Sequence, residues 1–258
     1  MVSFTVMIWQ MKRSLVFGGH SPIALAISRK LSEVGPVIHV SRNVDQSLRD
    51  SFLGIDNVTF ITWDSFQFDK DILQSSFLRD EKIGNLVFAH RYRENHEFVN
   101  DIEHFKVEVY FPYNLIMNMV QNSLFAENSS ILFVTSPAAK YVVSDQPVMY
   151  HLSKASINQL VRFLSLKLAP QLKINAISPG SYVLKDRNLD FFSYSSPRGK
   201  IIRDFLPLAE IPSTMEIANL VQFLLSENNS LLNGQIIDLS GGYLNMEVSQ
   251  VLNRLLDN

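Results

Sequence analysis

The sequence contains no cysteine, which excludes disulfides, thiolate metal sites and a thiol nucleophile, and accords with a cytoplasmic protein. It has no apolar run near the ~20 residues that a helix needs to cross a bilayer, so no membrane association is expected. Neither sign of charge is in excess: 23 Lys and Arg stand against 25 Asp and Glu, a net of −2. That balance points to no nucleic-acid surface and no acidic tail. Internal repeats, flexible linkers and low-complexity tracts are also lacking.

What is present is core-forming material. The chain has 258 residues, 47% of them hydrophobic, enough for a single α/β domain whose sheet is buried on both faces. Short runs rich in β-branched and aromatic residues predict strands over 14–17, 37–40, 58–62, 86–89, 131–135, 173–177 and 236–239. Helical spacing occupies 23–34, 105–125, 150–168 and 215–225. Ser213 and Glu216 form a capping-box pattern ahead of the last of these, with Pro212 just before it. Such alternation predicts a Rossmann-like, doubly wound parallel sheet that binds ligands at the carboxyl ends of its strands. Residues 1–11 read as an N-terminal arm or an overcalled start, because Lys12 and Arg13 follow the apolar stretch where an export signal would have them precede it. Residues 12–243 read as the domain, and 244–258 as an amphipathic helix packing on its own sheet or on a neighbouring subunit.

The chemistry is concentrated in the second half. Tyr150 and Lys154 are four residues apart and so share one face of a helix. An ammonium one turn away favours a phenolate, which suits a phenol to proton transfer near neutrality. A hydroxyl from another element, for which Ser136 is the candidate, can hold the oxygen of a carbonyl or alcohol. The set suits hydride transfer, in which one proton moves as the hydride does.

The surroundings of these residues resemble the short-chain dehydrogenase/reductase family from about Lys12 to Tyr243. Residues 129–136 (SSILFVTS) resemble the strand ending in the family's serine, and 150–156 (YHLSKAS) the opening of its active-site helix. Residues 174–180 (INAISPG) resemble the strand and turn beside the nicotinamide, and 233–242 (NGQIIDLSGG) the last strand. The resemblance implies an oxidoreductase interconverting a carbonyl and an alcohol on a small organic substrate. Tyr150 would exchange the proton, Lys154 would favour its ionised form and hold the ribose, and Ser136 would orient the substrate oxygen. A homodimer or homotetramer is implied as well.

The cofactor end departs from the family pattern. Where the family has T-G-x-x-x-G-x-G, this chain keeps Gly18 but has Pro22 and Ala24 at the later glycines. Pro22 suits the start of a helix but removes one N–H donor. The helix N-terminus at Ile23 still faces an anion, and His20 and Ser21 offer further donors. After the second strand come Ser41 and Arg42 with no acidic residue, a pair suited to a 2′-phosphate; NADP(H) is therefore expected over NAD(H). Asp64 matches the family's adenine-contacting Asp. Ala89, His90 and Arg91 stand where the family has Asn-Ala-Gly, so His90 and Arg91 are either cofactor ligands or solvated loop residues. Pro179, Gly180 and the backbone of Tyr182 are expected at the nicotinamide, and Leu184 replaces a Thr that would bind pyrophosphate.

The family's fourth catalytic residue, an Asn that holds a relay water for the Lys, aligns with Glu108. Glu108 either orders such a water or pairs with Lys154 and weakens the relay. Residues 185–212, with Phe191, Phe192, Tyr194, Phe205 and Leu206, are expected to form a partly apolar pocket or lid, or simply to pack as a loop. The altered cofactor side leaves a rival reading, a catalytically impaired relative that serves as a binding or scaffold protein.

Overall fold

The computed structural model describes residues 12–63, 82–92, 101–143, 146–180, 183, 189–193 and 195–256. Seven parallel strands form one sheet: β1 (Ser14–Phe17), β2 (Val37–Ser41), β3 (Val58–Thr62), β4 (Ile83–Phe88), β5 (Phe125–Val134), β6 (Leu172–Pro179) and β7 (Ile236–Leu239). Their order across the sheet is β3-β2-β1-β4-β5-β6-β7. Four residues of β1 and six of β4 are buried without alternation, as expected of strands covered on both faces.

Two layers supply the cover. On one face, α1 (Pro22–Ser32) and the helix Thr214–Leu225 pack Ile27, Leu31, Ile217, Val221 and Leu224 against Val16, Val87 and Leu132 of the sheet. On the other lie two long helices. The first runs from Asp101–Phe105 through a π-helical turn, Lys106–Tyr110, into Phe111–Gln121. The second is Val148–Lys167. They bury Leu115, Ile116, Ile157, Val161 and Leu164 against Leu15, Leu86, Ile131 and Ile174. The two helices of the first face start by local devices: Pro22 occupies the first turn of α1, and Ser213 and Glu216 complete the expected capping box.

Within residues 12–243, three elements have a boundary more than two residues from the sequence reading. The helix expected over 105–125 ends at Gln121, because Ser123 turns with φ 55° and Phe125 already pairs with Ile83 of β4. The strand expected over 131–135 therefore begins at Phe125 and includes the polar stretch Glu127–Ser130, which carries no β signal. Ser129 pairs with Leu172, so sheet partners impose the extended form there. The strand expected over 86–89 starts at Ile83, with a register shift between Ile83 and Asn85, and ends at Phe88. The tail forms the helix Val248–Leu256, and Arg254 donates hydrogen bonds to the carbonyls of Asp204 and Leu206. Residues 1–11 lie outside the described residues. Among the described residues, no helix is long and apolar enough to cross a membrane.

Phe133 sits at the centre of this architecture, 1% exposed, its ring 4.9 Å from and nearly parallel to Phe88 on the neighbouring strand. Truncation to alanine in a packed core costs about 3–5 kcal/mol. A guanidinium titration of Phe133→Ala should show that loss, with the wild-type circular dichroism spectrum retained in the absence of denaturant.

Candidate active site

The strand order places the topological switch between β1 and β4, where the chain leaves in opposite directions and a crevice opens at the carboxyl edge. There the structure has a cleft of about 750 Å³, running from the turn after β1 to Tyr150 and Lys154. It brings together Gly18, His20, Ser21, Ile23, Ser41, Arg42, Ala89, His90, Ser136, Tyr150, Lys154, Pro179 and Gly180, residues drawn from five strand ends and two helices. No Asp or Glu is among its described lining residues, whereas Arg42, Arg91 and Lys154 are.

The turn after β1 keeps its shape despite Pro22 and Ala24. A Cβ on Gly18 would lie 2.1 Å from that of Ala24, and Gly19 has φ +50° with Ser41 Oγ close by. Ala24 thus fills the space that any side chain at position 18 would need. In the first turn of α1, Pro22 has no N–H, Leu25 donates to Ser21, and the amides of Ile23 and Ala24 are left for an anion. His20 is exposed and lies 3.5 Å from Asp45.

His39, fully buried in β2, supports the turn from beneath, a role the sequence reading missed. Its Nε2 lies 2.9 Å from the carbonyl of Gly19, and its Nδ1 lies 2.8 Å from Ser28 Oγ. A carbonyl only accepts, so Nε2–H donates to Gly19 and Nδ1 accepts from the Ser28 hydroxyl: a neutral imidazole with both nitrogens satisfied. Burial pushes its pKa down to about 4; the hydrogen bond to Gly19 opposes this, and His20 adds to it. The signal available in the sequence was a lone His inside a wholly apolar strand.

At the end of β2, Ser41 is buried and donates to the carbonyl of Asn43, leaving Arg42 as the exposed cation of the pair. Of the two alternatives for His90, the solvated loop residue is not what the structure has: the side chain is half-buried and borders the cleft. Its ring packs edge-on against Phe17, Phe88 and Phe111, its Nε2–H donates to the carbonyl of Val107, and its Nδ1 has no hydrogen-bond partner. Burial depresses its pKa, against the pull of Glu108. Arg91 is exposed but not loose: its guanidinium stacks over the Tyr150 ring at 4.4 Å and donates to Gln146. Asp64, Tyr182 and Leu184 lie outside the described residues. Pro179 and Gly180 end β6, where Gly180 donates to the carbonyl of Leu239 and packs against the ring of Tyr243.

Ser136 follows β5 and caps the short turn Pro137–Ala139, accepting a hydrogen bond from the amide of Ala138. Its own hydroxyl proton is therefore free to donate into the cleft. Tyr150 and Lys154 project from the first turns of their helix, 9% and 3% exposed. Lys154 Nζ donates to Glu108 Oε2 at 2.6 Å and to the carbonyl of Val134 at 3.4 Å. Glu108 lies in the π-helical turn, a geometry that recurs at functional sites because its extra residue re-aims side chains. Its other oxygen accepts from the amide of Tyr92. Burial works against the Glu108 carboxylate. Lys154, His90 and the hydrogen bonds from Lys154 and Tyr92 outweigh it, holding the group below the ordinary glutamate value. Of the two alternatives for Glu108, the structure has direct pairing with Lys154.

The region expected to form a lid is described in part. Ile202, Leu206 and Ile211 form a small core with Phe192, Phe205 and Tyr243, and none of these residues lines the cleft. Phe205 ends a helix, Pro197–Phe205, that the sequence reading did not expect, and it packs with Leu206 inside this small core, so neither forms a wall of the pocket. No cluster of metal-ligating side chains occurs among the described residues.

A family model described as Enoyl-(Acyl carrier protein) reductase matches residues 101–244. An uncharacterized oxidoreductase of Bacillus subtilis, YmfI, is 25% identical over 90% of this chain and 98% of its own. The 3-oxoacyl-[acyl-carrier-protein] reductase FabG of Buchnera aphidicola is 27% identical over 90% of this chain and 96% of its own. Among solved structures, a short chain dehydrogenase family protein of Francisella tularensis has a TM-score of 0.72 at 23% identity, covering 92% of this chain and all of the other. ElxO with NADP bound has a TM-score of 0.73 at 19% identity, with coverage of 92% and 100%. These two structural likenesses are of fold.

Two measurements follow from the buried charges. Removing one partner of a buried ion pair costs about 3–5 kcal/mol, so Glu108→Ala should be destabilised by that order in urea. Adding Lys154→Met should restore part of the loss, since no uncompensated charge then remains. For His39 the folded pKa of about 4 lies below the unfolded 6.5. The unfolded chain then binds the extra proton first, and stability falls as pH drops from 6.5 towards 4, by on the order of 3 kcal/mol. Thermal melts of His39→Gln should be flatter than wild type across that window.

Proposed function

Because the chain belongs to the short-chain dehydrogenase/reductase family, a family of oxidoreductases, we propose that it interconverts a carbonyl and an alcohol on a small organic substrate, using NADP(H). The observation that carries this reading is that Ser136, Tyr150 and Lys154 open into one cleft that continues to the glycine turn after β1.

The cleft residues fit a nicotinamide dinucleotide. The Ile23 and Ala24 amides at the start of α1, with Gly18 and Gly19 giving close backbone approach, would hold its pyrophosphate. His20 and Ser21 border the same place. Arg42 at the end of β2 would meet a 2′-phosphate, which supports NADP(H) over NAD(H). Ala89 and His90 would flank the ribose side, with Pro179 and Gly180 near the nicotinamide. Asp64 and Tyr182 stay in this proposal on the strength of resemblance alone. When bound, the dinucleotide supplies or accepts the hydride.

The chain's own residues handle the oxygen and the proton. Ser136 is held by the Ala138 amide so that its hydroxyl donates to the substrate oxygen. The Tyr150 hydroxyl makes no hydrogen bond among the described residues and faces the cleft, where it would give the proton in reduction and take it in oxidation. Lys154 has two of its donors on Glu108 and Val134, which leaves one for the ribose. Glu108 fixes the position of that ammonium. A second reading, a binding protein of low catalytic power, draws support from the same pair, since Glu108 offsets the charge that Lys154 presents to Tyr150.

Titration with NADPH and then NADH, followed by nicotinamide fluorescence, tests the reading. NADPH should bind more tightly, and Arg42→Ala should narrow the difference by about tenfold, the worth of one charged hydrogen bond. In a screen of carbonyl compounds, Tyr150→Phe should reduce turnover by about 10²–10⁴-fold while still binding NADPH. Binding without turnover of any carbonyl would favour the second reading; no nucleotide binding would defeat both the enzyme assignment and the fit of the turn.

A further inference from the structure

Each cation bordering the cleft has an identifiable counterpart except two. Lys154 is answered by Glu108 at 2.6 Å, and His20 faces Asp45. Arg42 and Arg91 have no carboxylate among the described residues, and they lie in different parts of the cleft. Arg42 is accounted for by the proposed cofactor. Arg91 lies over the ring of Tyr150, at the place of proton exchange.

Its geometry is that of a held side chain. The guanidinium carbon lies over the phenol ring, 4.4 Å from its centre, an arrangement favoured by the ring's quadrupole. One edge donates to Gln146, on the segment leading into the Tyr150 helix. The remaining N–H donors are unused among the described residues, and the fork they form matches carboxylate or phosphate oxygens. Among the described residues, the lining offers no acidic side chain to compete for them.

We propose that Arg91 binds an anionic group of the substrate, so that the compound turned over carries a carboxylate or phosphate close to its reacting carbon. The inference rests on the oxidoreductase reading and adds a substrate class to it: oxo acids or phosphorylated ketones and the corresponding alcohols. Arg91 sets specificity by holding the anion while the carbonyl oxygen meets Tyr150 and Ser136.

The test uses the full chain with NADPH and paired probes: acetoacetate against acetoacetamide, and dihydroxyacetone phosphate against dihydroxyacetone. The charged member of at least one pair should have the higher kcat/KM, and which pair responds separates carboxylate from phosphate. Arg91→Gln should lower kcat/KM for that charged probe about 10- to 100-fold more than for its neutral partner, chiefly through KM. Arg91→Lys should keep part of the preference, and thermal melts establish that both variants fold. Equal rates for charged and neutral probes would overturn the proposal, as would a preference untouched by Arg91→Gln. So would an Arg91→Gln variant that loses NADPH affinity as strongly as probe affinity, since Arg91 would then serve the cofactor. If NADPH does not bind at all, the oxidoreductase reading fails by itself. Saturation-transfer NMR with acetoacetate and dihydroxyacetone phosphate then decides for Arg91: contact that weakens in Arg91→Gln supports an anion site, and no contact, or contact insensitive to the substitution, overturns it.

Discussion

Lys154 and Glu108 meet at 2.6 Å with almost no solvent around either, and that contact joins the parts of the site. The lysine comes from the helix Val148–Lys167, the glutamate from the π-helical turn Lys106–Tyr110, and the second carboxylate oxygen takes the Tyr92 amide just beyond β4. Two charges that have left water tolerate little misplacement, because separation restores the desolvation penalty of each. The pair therefore sets the spacing between the two long helices at the height of Tyr150. His90 shares the arrangement, with its ring against Phe111 and its hydrogen bond on the carbonyl of Val107 in the same turn. The π-helical geometry is the backbone's accommodation to these demands: Val107, Glu108 and Val109 are all buried, a density of inward side chains that an ordinary turn does not provide.

The second constraint is electrostatic. A cleft whose described lining holds no carboxylate, bordered by a helix N-terminus and three cationic side chains, favours anionic ligands along its length. Neutralisation of Lys154 by Glu108 divides that field. Among the described residues, the cations left unanswered are Arg42, beside the glycine turn's end of the cleft, and Arg91, at the phenol. In the proposed reaction this separation assigns one cation to cofactor and one to substrate. His39 contributes without touching the cleft, since it fixes the carbonyl of Gly19 and so the shape of the turn that Pro22 and Ala24 alter.

The parallel sheet and its flanking helices were legible because apolar runs of strand length alternate with helical spacing, and the capping residues Ser213 and Glu216 are local. The beginning of β5 was not, because Glu127–Ser130 is polar and is extended only through its neighbours in the sheet. Tyr150 and Lys154 were found because they share a helical face, and Ser136 because residues 129–136 resemble the family's serine-bearing strand. The convergence of Gly18, Ser41 and Arg42 on the same cleft follows from strand order, which a motif signals only indirectly. His39 was passed over because a histidine satisfied inside the core differs from an exposed one only in its partners.

The amino-acid sequence by itself determined the fold class, the helix faces and the chemical groups available, since these depend on side-chain type and on periods of two or 3.6 residues. Tertiary structure decided how those groups are spent. Glu108 became the partner of a lysine 46 positions away, His90 packed its ring against Phe17 and Phe111, and Arg91 turned onto Tyr150. Each outcome is a contact between residues far apart in the chain, whose energy depends on burial and distance, and neither quantity exists until the helices have docked on the sheet.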